Sequence, residues 1–431
     1  MRAVAVVDLG FGDAGKGTIV DALVRRTGAH LVVRTQGGAQ AGHNVVTDDG
    51  RHHTFAQLGA GSFVPGVRTH LGPEMVVHPT ALLVEARYLA DVGVGDALDR
   101  LTVAREARVT TPFHQAAGRL RELARGDGAH GSCGVGVGET VYDSLTHPDE
   151  VLRVGHLSRA DLPSRVARVR ERVRSSVSEA IAAARGRAGA DPEIRVFEDP
   201  GVIDAWIEAL TPFATVRAID DATCALDGEL VVLEGAHGIL LDEHHGFHPH
   251  TTWHRCTSAP AEEWLAARGF DGELVRLGVT RTYATRHGAG PFPSQADALR
   301  ASLREPHNPD RGWQGTFRVG WPDPSLLRYA IAANRGIDAL AVTHLDRLGA
   351  LDAWRSAARY TIEPRLDPTL RYQSALAERL AAPCATEALE LGDDPAEGYL
   401  DWIERELGVR AAVLSSGPTA GDKVWLEPAL T

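Results

Sequence analysis

Lysine is almost absent from this 431-residue chain, occurring only at Lys16 and Lys423 although lysine and arginine together number 45. One of so few lysines inside a glycine-rich loop points to a phosphate contact, which a flexible point-charge ammonium makes in a way a planar guanidinium cannot copy. Cysteine is scarce as well. Cys133, Cys224, Cys256 and Cys384 lie far apart with no CxxC spacing, which suggests neither a disulfide framework nor a zinc site. No apolar stretch reaches the roughly 20 residues that a membrane helix requires, and the N-terminus lacks the charged-then-apolar pattern of a signal peptide, so the expected location is the cytoplasm. No Lys/Arg-rich run interrupts a formal net charge of -12. Neither nucleic acid nor an acidic membrane is therefore an expected partner, and small anionic substrates must be met by local devices.

What is present, 44% hydrophobic and 24% charged side chains, can bury a large core. Residues 2–9 form a β-branched apolar run bounded by Gly10, as in a buried parallel strand. Similar runs at 31–34, 229–233, 274–279, 339–343 and 411–414 alternate with helical patterns. That alternation predicts an α/β fold with a mostly parallel central sheet flanked by helices. Residues 159–190, rich in Ala, Arg, Glu and Ser with Val at helical spacing, predict one long exposed helix ending near Gly186 or Gly189. No internal repeat or low-complexity linker divides the chain, so residues 1–431 are expected to form a single elaborated domain with that helix projecting from it.

The segment Gly10-Phe-Gly-Asp-Ala-Gly-Lys-Gly-Thr18 falls between the first strand and a helix, where successive backbone N–H groups and a helix N-terminus can cradle an anion. It is close to a P-loop, but Gly17 stands where the ordinary pattern has Ser or Thr, and Thr18 follows one place later. Asp13 inside the loop is unusual. A carboxylate beside bound phosphates is unfavourable unless a metal ion lies between them or the carboxylate takes a proton from the reacting group. A second small-residue segment, Gln36-Gly-Gly-Ala-Gln-Ala-Gly-His43, lets backbone approach a ligand and ends in a candidate catalytic histidine.

These two segments together resemble the paired signature of adenylosuccinate synthetases. The similarity continues through Val-His-Pro-Thr-Ala-Leu-Leu at 77–83, Glu-Gly-Ala-His-Gly-Ile-Leu-Leu-Asp at 234–242, Thr-Arg-His-Gly-Ala-Gly-Pro-Phe-Pro at 285–293, Gly-Trp-Pro-Asp at 320–323 and Ser-Ser-Gly-Pro at 415–418. The resemblance spans essentially the full length and implies a P-loop-like α/β fold. It also implies a homodimeric ligase of purine biosynthesis that uses GTP and Mg2+ to phosphorylate the 6-oxygen of IMP, after which the amine of aspartate displaces the phosphate. On that resemblance Asp13 and His43 are catalytic, Asp13 taking the purine N1 proton and joining the magnesium shell. His43 assists the phosphoryl group leaving GTP, and Gly42 offers its carbonyl to magnesium. Gly12, Gly15, Lys16, Gly17 and Thr18 meet the GTP phosphates. The guanine-reading stretch is Thr343-His-Leu-Asp346, with Ser415 and Gly417 completing the base pocket. His344 replaces the family's lysine there, while the carboxylate of Asp346 can accept guanine N1–H and N2–H together, which favours GTP over ATP.

The acceptor and donor positions depart from the family pattern. The implied substrate-binding set is Gln40, Cys133, His237, Thr252 and Arg318, but His237 stands for a glutamine and Ser132-Cys-Gly-Val-Gly136 stands for Thr-Thr-Gly-Arg-Gly. The aspartate loop reads Gly312-Trp-Gln-Gly-Thr-Phe-Arg318, and Arg318 alone survives of its arginines. Losing bidentate guanidinium contacts costs on the order of 1.5 to 3 kcal/mol each. Another acceptor or amine handled by the same mechanism is therefore the alternative within the family, and a GTP-binding regulatory protein without catalysis is the alternative outside it. The histidine-rich stretch 243–250 reads as substrate-lining or surface rather than a zinc site. Trp253 and Trp313 could stack on a flat substrate or serve packing.

Overall fold

A computed structural model describes residues 1–226, 228–303, 305, 308 and 313–427. The apolar run Arg2–Asp8 is buried from Ala3 onward and lies in the middle of a central sheet, paired in parallel with Leu230–Glu234 on one side and Glu273–Arg281 on the other. From one edge to the other the sheet runs Lys423–Trp425, Ala411–Ser415, Ala339–Thr343, Glu273–Arg281, Arg2–Asp8, Leu230–Glu234, Leu31–Gly38, Arg68–Val77, Leu101–Ala104 and Arg217–Ile219, with Arg108–Val109 also pairing with Arg68–Val77. Every pairing is parallel except that of Lys423–Trp425. The mostly parallel α/β sheet read from the sequence is therefore what forms. It is covered on both faces, as such sheets must be, because helices make the crossovers.

The helix Lys16–Thr27 shows how local sequence builds this cover. Ile19, Val20, Leu23 and Val24 recur at three- and four-residue spacing and are buried, and Gly28 in the left-handed region (φ 68°) ends the helix. Each such side chain removed from water is worth ~1.5–3 kcal/mol, and this stripe packs against Val4, Val6 and Val32 of the sheet. Tyr399, Trp402 and Ile403 of the helix Pro395–Leu407 pack with Val7, Leu340 and Val342 in a second cluster.

Two expectations change. The long helix over 159–190 is broken into Leu162–Ser176, Ser178–Ala184 and Ala190–Glu198. Its valines are not solvated, since Val166, Val169, Val173 and Val177 are buried in the same cluster as Phe113, Ala116 and Leu120 of the helix Pro112–Arg125. Periodicity found the apolar stripe but not the partner that covers it. The second strand also runs past Arg34 to Gly38 with a register shift between Arg34 and Gln36, so Gln36-Gly-Gly is strand rather than loop.

Candidate active site

The strands Arg2–Asp8, Leu31–Gly38, Leu230–Glu234, Glu273–Arg281, Ala339–Thr343 and Ala411–Ser415 all end at one edge of the sheet. The segments that follow them open a cleft of about 320 Å3. This is the carboxyl edge, where α/β sheets bind ligands. Gly12, Asp13, Gly15, Lys16, Gly17, Thr18, Gln40, Gly42, His43, His237, His344, Asp346, Ser415 and Gly417 line it together. Cys133, Thr252 and Arg318 do not. Cys133 is half-buried, with its thiol pushed up by burial, and the N–H of Thr252 donates to the Leu241 carbonyl at 2.8 Å across a loop. Arg318 spends its guanidinium on the Gly290 carbonyl (2.9 Å) and Gln295 Oε1 (3.1 Å), lining a different cavity beside His250 and Pro383. Gly312 lies outside the described residues.

The phosphate loop is shaped by Asp8 at the end of the first strand. Its carboxylate accepts the N–H groups of Gly10 (2.8 Å) and Ala14 (2.9 Å) and holds Lys16 Nζ at 3.0 Å. Gly15 takes φ 93°, a conformation that costs a side-chain residue energy. The displaced threonine has a steric cause. A Cβ at position 17 would lie 2.8 Å from His43 Cβ and 2.9 Å from the Asn44 carbonyl, so the residue after Lys16 must be glycine for His43 to approach. Thr18 Oγ1 instead donates to the Pro418 carbonyl at 2.7 Å, which ties the helix Lys16–Thr27 to the loop that carries Gly417.

His43 begins the short strand His43–Val46 and is buried. Its Nδ1 forms a short hydrogen bond with Glu234 Oε1, and Glu234 also accepts the Ala60 N–H at 3.0 Å. A carboxylate on Nδ1 fixes the tautomer with the proton there, so Nε2, which has no partner, presents its lone pair. Burial pushes the imidazole down to about 4 against the pull of Glu234. Asp13 sits in the left-handed region (φ 61°) and its Oδ2 is 3.0 Å from His287 Nε2. Burial raises the Asp13 carboxyl, but the hydrogen bond and charge of His287, with Lys16 and Arg281, outweigh it and hold it below its ordinary value.

His344 (φ 61°) is half-buried, and desolvation drives it well below its usual range. Its Nδ1 meets Thr343 Oγ1 at 2.8 Å, and its carbonyl accepts Thr282 Oγ1 at 2.9 Å. Neutral and tied down, it shapes the turn that presents Asp346. Lys423, 7% exposed, donates to the carbonyls of Gly417 (2.8 Å) and Thr419 (2.7 Å), so both lysines serve the same cleft. His237 lines the middle at φ 57°, stacked on His254 with ring centres 5.8 Å apart and with its Nδ1 buried and unpartnered. Trp313 lies against Gly134, where a Cβ would come within 2.6 Å of its ring, and Arg119 sits 5.6 Å from the ring centre. Trp313 thus packs on the 132–136 loop.

Sequence reasoning missed Glu234, His287 and Lys423. Glu234 and His287 stood inside motifs quoted for resemblance, and Lys423 was open to the scarcity argument already applied to Lys16.

An α/β sheet whose carboxyl edge carries a glycine-rich loop, a buried His–Glu pair and a distant carboxylate is the architecture of a nucleotide-using enzyme. Comparison with known proteins makes the class specific. The family model described as adenylosuccinate synthetase matches residues 5–424; the chain belongs to that family, whose members are GTP-dependent ligases that form carbon–nitrogen bonds. It is 31% identical to the adenylosuccinate synthetase of Anaeromyxobacter sp. (strain K) over 447 residues, covering 99% of each chain. With the enzyme of Synechococcus sp. (strain CC9311) it shares 32% over 451 residues, 99% of this chain and 97% of the other. Among solved structures, the fully ligated adenylosuccinate synthetase from Plasmodium falciparum superposes with TM-score 0.77 at 21% identity, covering 98% and 99% of the two chains. The cyanophage S-2L succinoaminodeoxyadenylate synthetase, bound to dGMP and to dATP as energy donor, gives 0.62 at 19% identity, covering 98% and 95%. No helix among the described residues is long and apolar enough to cross a membrane.

Proposed function

We propose that the enzyme uses GTP to phosphorylate the 6-oxygen of IMP or a related purine nucleotide and then joins the amine of aspartate at that carbon, working as a homodimer. The observation that carries this reading is the convergence of Asp13, Lys16 and the His43–Glu234 pair at one end of a single cleft, with Asp346, Ser415 and Gly417 at the other.

An amide oxygen is a poor leaving group until phosphorylated. Asp13 accepts the N1 proton, and the N–H electron pair shifts so that the 6-oxygen gains negative charge. That oxygen attacks the γ-phosphorus, and the bond to the β-bridging oxygen breaks, leaving GDP. Lys16 and the loop N–H groups of Gly15 and Gly17 hold the phosphates. His43, held at Nδ1 by Glu234, takes up a proton on Nε2 when the anionic phosphates enter the cleft and favour the imidazolium, and that Nε2–H meets the charge on the moving phosphoryl group. The amine then attacks C6 and phosphate departs with the C–O bond electrons. Asp13 and Gly42 suit Mg2+, which is commonly held by one or two carboxylates together with substrate phosphates and water rather than by a protein cage. The donor set fits that habit, because Asp13 brings one carboxylate into the cleft beside Lys16 and the Gly42 backbone. Bound there, Mg2+ would neutralise charge on the nucleotide phosphates.

Mass analysis of a reaction with GTP, Mg2+, IMP and aspartate, each omitted in turn, tests the proposal. A succinyl-purine product dependent on all four supports it, with Asp13→Asn and His43→Asn abolishing product while GTP binding persists. GTP binding with no product from IMP and aspartate would sink this substrate pair, and dGMP, with ATP or dATP in place of GTP, is then the next combination to run.

A further inference from the structure

Asp13 is held at both ends by a closed ring of side chains. Arg281 Nη1 donates to the Asp13 carbonyl at 3.0 Å, and Arg281 Nη2 makes a short contact with Glu305 Oε1. Glu305 Oε2 accepts Asn308 Nδ2 at 3.3 Å, Asn308 Oδ1 lies 3.3 Å from His287 Nε2, and His287 Nε2 returns to Asp13 Oδ2 at 3.0 Å. The chemistry orients every member. A carboxylate can only accept, so Glu305 takes the Asn308 amide N–H and turns the amide oxygen toward His287. His287 Nε2 then faces two acceptors, the Asn308 oxygen and the Asp13 carboxylate, and must carry a proton whatever the ring's charge. Edge-on packing against Phe317, with ring centres 4.6 Å apart, fixes the imidazole plane. His287, Glu305, Asn308 and Asp13 all line the cleft.

We propose that His287 is a positioning residue for Asp13: its Nε2–H commits Oδ2 and leaves Oδ1 aimed at the acceptor's N–H. This rests on the reading of Asp13 as the base. A carboxylate on a left-handed residue beside phosphates has several rotamers available, and one fixed donor selects a single one. The ring also makes Arg281 and Asn308 contributors, because they hold the carbonyl and the imidazole in place.

Steady-state kinetics on His287→Ala and His287→Gln, beside Asp13→Asn, provide the test. In His287→Ala kcat falls by about ten- to a hundred-fold, the range for losing a group that orients a reacting residue, with KM for GTP unchanged. His287→Gln recovers most of the loss, since an amide N–H replaces the donor. A loss confined to KM, or one that His287→Gln leaves undiminished, overturns the proposal; turnover surviving in Asp13→Asn overturns the base assignment as well. An arm independent of substrate uses 15N-histidine NMR on the intact protein. The His287 Nε2–H signal is slow to exchange and shifts in Asp13→Asn, whereas rapid exchange with no shift overturns the proposal whether or not IMP is the acceptor.

Discussion

Lys16 lines the cleft and Lys423 holds the carbonyl of Gly417, which lines it too, so in a chain otherwise served by arginine both positions use a compact ammonium with several N–H donors. Lys423 holds two carbonyls of the loop that carries Ser415 and Gly417, and burial lowers it to about 8 with Asp422, Asp21 and Asp346 opposing. Charge-assisted hydrogen bonds contribute about 1.5–3 kcal/mol, and each 1.4 kcal/mol is about ten-fold in affinity. Lys423→Met is therefore expected to weaken GTP binding by about ten-fold or more with kcat at saturation nearly kept. A fluorescent-nucleotide titration checks this, and unchanged affinity would show that the loop holds itself. Residue chemistry was legible in the sequence where a motif concentrated it, as with Asp13, Lys16 and His43. It was not legible for Glu234 or His287, whose partners lie 191 and 274 residues away and meet only through the fold, whereas Lys423, whose partners are 6 and 4 residues away, was open to the scarcity argument.

At the scale of elements, apolar runs located the central strands well because a buried parallel strand needs no alternation. The short strands Leu101–Ala104 and Arg217–Ile219 went unread, since three or four residues carry too little pattern. That edge of the sheet is held partly by polar contacts. Asp221 meets His70 Nε2 at 2.9 Å, Trp264 Nε1 at 3.0 Å and Arg268 at 2.8 Å. Burial pushes its carboxyl up, but these donors outweigh it and bring it from 3.8 to about 2. A carboxylate depressed in the folded state stabilises above its unfolded value and loses that contribution as pH falls through the folded one. Asp221→Asn should cost roughly 1–2 kcal/mol near neutral pH, and its Tm deficit should shrink as pH falls from 3.8 to about 2. Thermal scans across that range decide it. A deficit that stays constant would mean the asparagine loses packing rather than charge.

Across the whole molecule, six strands deliver the cleft from one edge of one sheet, so the fold itself brings together residues separated by as many as 400 positions, as Thr18 and Pro418 show. The nucleotide half was readable because glycine loops and their neighbours are contiguous in sequence. The acceptor half was less so. Of its expected residues, Gln40 and His237 reach the cleft, Cys133 and Thr252 do not line it, and Arg318 lines a separate cavity. The proposed chemistry requires that the acceptor's oxygen be phosphorylated before the amine arrives. IMP labelled with 18O at the 6-position is supplied with GTP, Mg2+ and aspartate, and the released phosphate is weighed. The label is expected to leave the purine and appear in phosphate in step with product; unlabelled phosphate released while product forms would rule out this order of steps.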